Sequence, residues 1–136
     1  AGQSISDIFT CEGEGVFREY ERQVVAELCP QRDLVIATGG GLAANEANLA
    51  SLKTHALVVC LWAGPESIWE RVKHQSHRPL LHDPDPQAAI RRLLAQREPF
   101  YRQADVLVNT EMRSVREVAQ QVLHQLQLAR NRPPAA

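Results

Sequence analysis

The run Leu34-Val35-Ile36-Ala37-Thr38-Gly39-Gly40-Gly41 constrains this chain more than any other feature. A short apolar, β-branched stretch enters three glycines and then the helix-forming Leu42-Ala43-Ala44. That pattern predicts a buried strand over Leu34–Thr38, a turn without side chains, and a short helix from about Ala43 to Leu52. In open α/β sheets, ligands bind outside the carboxyl ends of the strands. Glycines at such a turn let the backbone approach a ligand closely and adopt positive φ. A phosphate loop of the form GxxxxGK(S/T) does not occur in the 136 residues, and the two lysines, Lys53 and Lys73, follow no glycine.

Helices and strands alternate along the rest of the chain. Phe17, Val24, Val25 and Leu28, with charges between them, suit an amphipathic helix over Phe17–Leu28 that Pro30 ends. Ala56–Trp62 is continuously apolar, which predicts a second strand covered on both faces. Gly64-Pro65-Glu66 opens a helix reaching about His74, with proline and an acid suited to its first turn. Three prolines and two aspartates in His77–Pro86 exclude regular structure and suggest a lid or binding loop. Ile90, Leu93, Leu94 and Tyr101 predict a helix from Pro86 to about Gln103, with a kink or end at Pro99. Val106–Val108 is a third short strand. Ser114 then caps a last helix, Glu117 completes a capping box, and Val115, Val118, Val122 and Leu126 share a face. The tail Asn131–Ala136 is expected to fray. Alternation of this kind argues for an α/β fold with a parallel sheet and right-handed crossovers, although three strands make it thin.

Composition narrows the function classes. A length of 136 residues suits a single domain with a real core. A net charge of −1 gives no general pull toward nucleic acid or a membrane surface. No apolar run approaches the roughly 18 residues of a membrane span. Cys11, Cys29 and Cys60 are odd in number and form no CxxC pair, which suits a reduced, cytoplasmic protein. His74, His77 and His82 with Asp83 and Asp85 match no zinc spacing. Trp62 and Trp69 read as packing residues.

Arginine outnumbers lysine thirteen to two. Genome composition alone can produce that ratio, so the positions must decide. Arg18 lies near the start of the first long helix, with Glu21 three residues on to orient its guanidinium. Arg78 opens the proline-rich loop, Arg97 precedes Glu98-Pro99-Phe100-Tyr101, and Arg113 follows the third strand. Each alone is also what a surface arginine looks like. Together with a glycine turn they suggest a site for an anionic ligand, a carboxylate and a phosphate.

The segments Ser4-Ile5-Ser6-Asp7-Ile8-Phe9, Gly13-Glu14 with Phe17-Arg18 and Glu21, Ala37-Thr38-Gly39-Gly40-Gly41, Arg78-Pro79-Leu80-Leu81 and Arg97-x-Pro99-x-Tyr101 together resemble the shikimate kinases, in order and in spacing. The resemblance covers essentially the whole chain. It implies that Arg18 and Arg97 clamp the shikimate carboxylate, with Glu21 holding Arg18. Gly40, within Gly39–Gly41, would meet the substrate hydroxyls. Arg78 would act catalytically as a lid arginine closing on the transferring phosphate, and Arg113 would lie beside the adenine. The implied fold is a P-loop kinase-like parallel sheet with flanking helices. The implied reaction transfers the γ-phosphoryl of ATP to the 3-hydroxyl of shikimate with Mg²⁺, in aromatic amino acid biosynthesis.

Against that pattern, the 136 residues show no counterpart of the family's first strand, phosphate loop and second strand, nor of its aspartate pair, so no Mg²⁺ ligand is expected in this chain. The expectation is one shikimate kinase-like domain over residues 1–136, amino-terminally incomplete and inactive by itself. Its substrate-binding segment would span about residues 4–30 and its lid about residues 76–87. It would act as a monomer, with shikimate and ATP as its partners. A non-catalytic binding or regulatory domain of the same ancestry stays open, as does a kinase of another small metabolite. The paired arginines favour a ring carboxylate over the latter.

Overall fold

The computed structural model describes residues 2–75 and 83–131. The chain divides after Ala56 into two compact units.

The first unit is helical. Helices α1 (Ile5–Cys11), α2 (Gly13–Leu28) and α3 (Glu46–His55) follow one another. Helix α1, which hydrophobic periodicity does not announce, is set by its cap. Ser4 Oγ accepts the backbone N–H of Asp7, and the Asp7 carboxylate returns a bond to Ser4. Gly13, at φ 87°, takes the left-handed conformation between α1 and α2 that a side chain disfavours. Ile8, Val25, Leu42, Leu49 and Leu52 form the buried core of this unit. Of the apolar stripe on α2, Val25 is buried while Val24 is half-exposed.

The expected strand Leu34–Thr38 is not formed. A strand exists only through a hydrogen-bonded neighbour, and among the described residues nothing pairs with this segment. Val35 is fully exposed, and Leu34 and Ile36 are also exposed. The glycine turn behaves differently from expectation as well. Neither Gly39 nor Gly41 has a left-handed φ. The turn runs on through Ala44, closed by Leu42 N–H to the Gly39 carbonyl at 3.2 Å. Helix α3 therefore begins at Glu46, where the Asn45 side chain caps the Asn48 N–H at 3.1 Å.

The second unit is α/β. Its order is β1 (Val59–Trp62), α4 (Pro65–Val72), α5 (Pro86–Tyr101), β2 (Val106–Asn109) and α6 (Val115–Arg130). β1 and β2 pair in parallel, Val59 against Val106 through Trp62 against Asn109. Ala63, Val72, Ala89, Ile90 and Val108 are buried. β1 is not covered on both faces as its continuous hydrophobicity predicts, since Leu61 is 59% exposed. Pro99 does not end α5, which runs on to Tyr101. The Ser114–Glu117 capping box starts α6. Val118, Val122 and Leu126 are half-buried on that helix and Val115 is exposed. No helix among the described residues is long and apolar enough to cross a membrane.

Candidate functional site

In the first unit, α2 carries Arg18 with a carboxylate one turn to either side. Arg18 NH1 donates to Glu21 Oε2 at 2.6 Å. Its Nε and NH2 both donate to Glu14 Oε1, at 3.3 and 2.9 Å. Both partners lie at helical spacings that bring side chains together. The Glu21 side chain is only 14% exposed and that of Glu14 66%, so Glu21 is the firmer support. Burial, the largest influence on the Arg18 guanidinium, works against its charge. The bonds to Glu21 and Glu14 outweigh that penalty and raise its pKa above the ordinary arginine value. These bonds engage three of the five guanidinium N–H groups and leave one on each terminal nitrogen outside the carboxylate pairs.

Aromatic and glycine neighbours complete the setting. The Arg18 guanidinium carbon lies 5.4 Å from the centre of the Phe17 ring, within cation–π range. Phe17 in turn meets Phe9 of α1, with ring centres 4.6 Å apart and planes tilted by 40°. The glycine turn reaches the same guanidinium. A Cβ placed on Gly41 would stand 2.7 Å from Arg18 NH1 and 2.9 Å from NH2. A Cβ on Gly39 would meet nothing within 4 Å. Arg18, Glu21 and Gly41, three of the residues singled out by sequence, are thus brought together. Glu14 was missed, because the helix expected from sequence begins at Phe17 while α2 begins at Gly13. The Arg18–Gly41 approach had no local signal.

The remaining site residues are distributed elsewhere. Arg97 lies half-buried on α5 in the second unit, ahead of Pro99. Arg78 and the rest of 76–82 lie outside the described residues. Arg113 follows Met112, which holds a left-handed φ of 51°. Its NH1 donates to the Asn109 carbonyl and to Gln121 Oε1, each at 2.8 Å. It borders an open groove of about 450 Å³ whose walls include Leu107, Glu117, Gln121 and His124.

A second network, missed from sequence, organises the carboxyl ends of β1 and β2. Thr110 Oγ1 donates to the Trp62 carbonyl at 2.9 Å and accepts from Arg71 NH1 at 2.9 Å. Glu111 Oε1 accepts the Gly64 N–H at 2.8 Å and the Ser67 hydroxyl at 3.0 Å. Helix α4 has no side-chain cap from its own Gly64, and Glu111, from the loop after β2, ties the start of that helix through the Gly64 N–H and the Ser67 hydroxyl. The Gly64 N–H and then the Ser67 hydroxyl hold the Glu111 carboxyl below its ordinary pKa.

Comparison with known proteins places the chain in a family. A curated shikimate kinase from Synechococcus sp. (strain JA-3-3Ab) is 53% identical over 109 residues, covering 79% of this chain and 57% of the relative. One from Nitrosospira multiformis is 40% identical over 129 residues, covering 94% of this chain and 66% of the relative. This chain thus spans about three-fifths to two-thirds of the length of those relatives. Among solved structures, shikimate kinase from Acinetobacter baumannii in complex with shikimate superposes with a TM-score of 0.86 at 37% identity, over 97% of this chain and 74% of that one. The Aquifex aeolicus shikimate kinase gives 0.79 at 36% identity, over 93% and 73%. The family model described as shikimate kinase matches residues 1–127, and this chain belongs to the shikimate kinase family.

Proposed function

We propose that the full-length protein transfers the γ-phosphoryl of ATP to the 3-hydroxyl of shikimate. The observation that carries this reading is the Arg18 guanidinium, fixed by Glu14 and Glu21 and seated against Gly41. A planar fork held in advance suits a planar carboxylate, because less entropy is lost on binding. Each charge-assisted hydrogen bond to the carboxylate contributes about 1.5–3 kcal/mol.

In this reading Arg97 serves the same carboxylate, and Gly39, Gly40 and Gly41 present backbone to the shikimate hydroxyls. Arg78 neutralises charge on the transferring phosphoryl group, and Arg113 lies beside the adenine. Phosphoryl transfer depends on positioning and charge neutralisation, which is the work arginines do well. Among the described residues no three His, Cys, Asp or Glu side chains converge as a metal-ligand set. The proposal includes action as a monomer in the cytoplasm; the three free cysteines suit a reducing compartment.

The test is a steady-state assay of the full-length protein with ATP, Mg²⁺ and shikimate. ADP release that requires shikimate, at about 1–100 s⁻¹, is the expected result. ATP turnover indifferent to shikimate would defeat the proposal.

A further inference from the structure

We propose that Gly41 is a positioning residue for Arg18: the missing side chain at this position leaves the space that the guanidinium fills. The inference rests on the reading of Arg18 as an anion-binding residue and adds a neighbour that comes from outside its own helix. The three atoms nearest to a Cβ built on Gly41 are NH1, NH2 and Cζ of Arg18, at 2.7, 2.9 and 3.1 Å. Ordinary contacts to carbon lie at about 3.5–4.0 Å, so any side chain at 41 demands a retreat of about 1 Å. The bonds to Glu21 and Glu14 tether the guanidinium against it. A shift of that size works against the 2.6 Å bond to Glu21, whose side chain is itself mostly buried. The backbone of Gly41 is not left-handed, so alanine there need not adopt the positive φ that L side chains disfavour. Substitution at this position consequently reads out the contact with Arg18 and not strain in the turn.

A misplacement of about 1 Å in a binding group costs on the order of 10²-fold. In the full-length protein, Gly41→Ala is expected to weaken shikimate binding by about 10- to 100-fold while ATP affinity changes by less than about two-fold. The Arg18 Nε–H resonance, assigned by its loss in Arg18→Lys, should shift or broaden in Gly41→Ala. If Gly41 acts through Arg18, the same substitution in an Arg18→Lys background should add less than about two-fold. Gly15→Ala, on the exposed face of α2 with nothing within 4 Å, is the control and should leave both readouts unchanged. An unmoved Arg18 resonance in Gly41→Ala overturns the inference, and so does an equal loss of shikimate affinity with and without Arg18. Should the unaltered protein bind no shikimate at all, the ligand reading falls, and the Arg18 resonance alone decides the role of Gly41.

Discussion

Arg18 shows how much of a site one residue and its spacing can encode. Glu21 at i+3 was readable as its partner, and the bond forms at 2.6 Å. Glu14 at i−4 was not, because the helix expected from sequence begins at Phe17 and leaves it out, whereas α2 begins at Gly13. Their burial was not readable, and it sets their relative weight. The Glu14 pair is exposed to screening by water and salt, whereas Glu21 is covered. Glu21→Gln should therefore raise the KM for shikimate by about ten-fold, and Glu14→Gln by less than about three-fold, with the KM for ATP constant in both. Steady-state kinetics of the two variants of the full-length protein check this. Equal effects would mean that burial does not govern how firmly Arg18 is held.

At the scale of elements, local chemistry was legible wherever a signal was self-contained. The Ser114–Glu117 capping box predicted the start of α6, and the Oγ of Ser114 accepts the Glu117 N–H. Removing that acceptor in Ser114→Ala should cost about 1 kcal/mol in urea unfolding. Signals that needed a distant partner were not legible. Leu34–Thr38 has the composition of a strand, yet a ladder needs a neighbour that composition cannot supply. The start of α4 was legible from Pro65 but its acceptor was not, because Glu111 arrives from beyond β2. That cap has a pH signature. The Glu111 carboxyl titrates below its ordinary 4.5 in the fold. Its contribution is thus complete above that value and is lost as pH falls through the lowered one. Glu111→Gln should lower Tm at pH 7, and the difference from the unaltered protein should narrow as pH falls below 4.5 and through the lowered pKa. No difference at pH 7 would show that hydrogen bonding without the charge suffices there, since glutamine keeps the accepting oxygen.

At the scale of the whole molecule, the family was legible because five short segments kept their order and spacing, although none was decisive alone. The joint use of two distant arginines is a different kind of claim. Arg18 belongs to the first compact unit and Arg97 to the second, and no local rule links them. A shared ligand has an energetic signature that does not depend on viewing the site. If both guanidinium groups grip one carboxylate, lysine at either position keeps the charge and loses the fork. The second loss then falls on a ligand already loosened, so the two effects are not additive. Arg18→Lys, Arg97→Lys and the double variant of the full-length protein complete a cycle read by shikimate titration. The coupling expected for groups that share a partner is about 0.5–3 kcal/mol, whereas groups without shared partners add to within about 0.5 kcal/mol. ATP affinity, measured in parallel, should stay constant around the cycle. Strict additivity for shikimate would assign the two arginines to separate ligand groups. A weakening for ATP in Arg97→Lys, with shikimate affinity intact, would move Arg97 to the nucleotide.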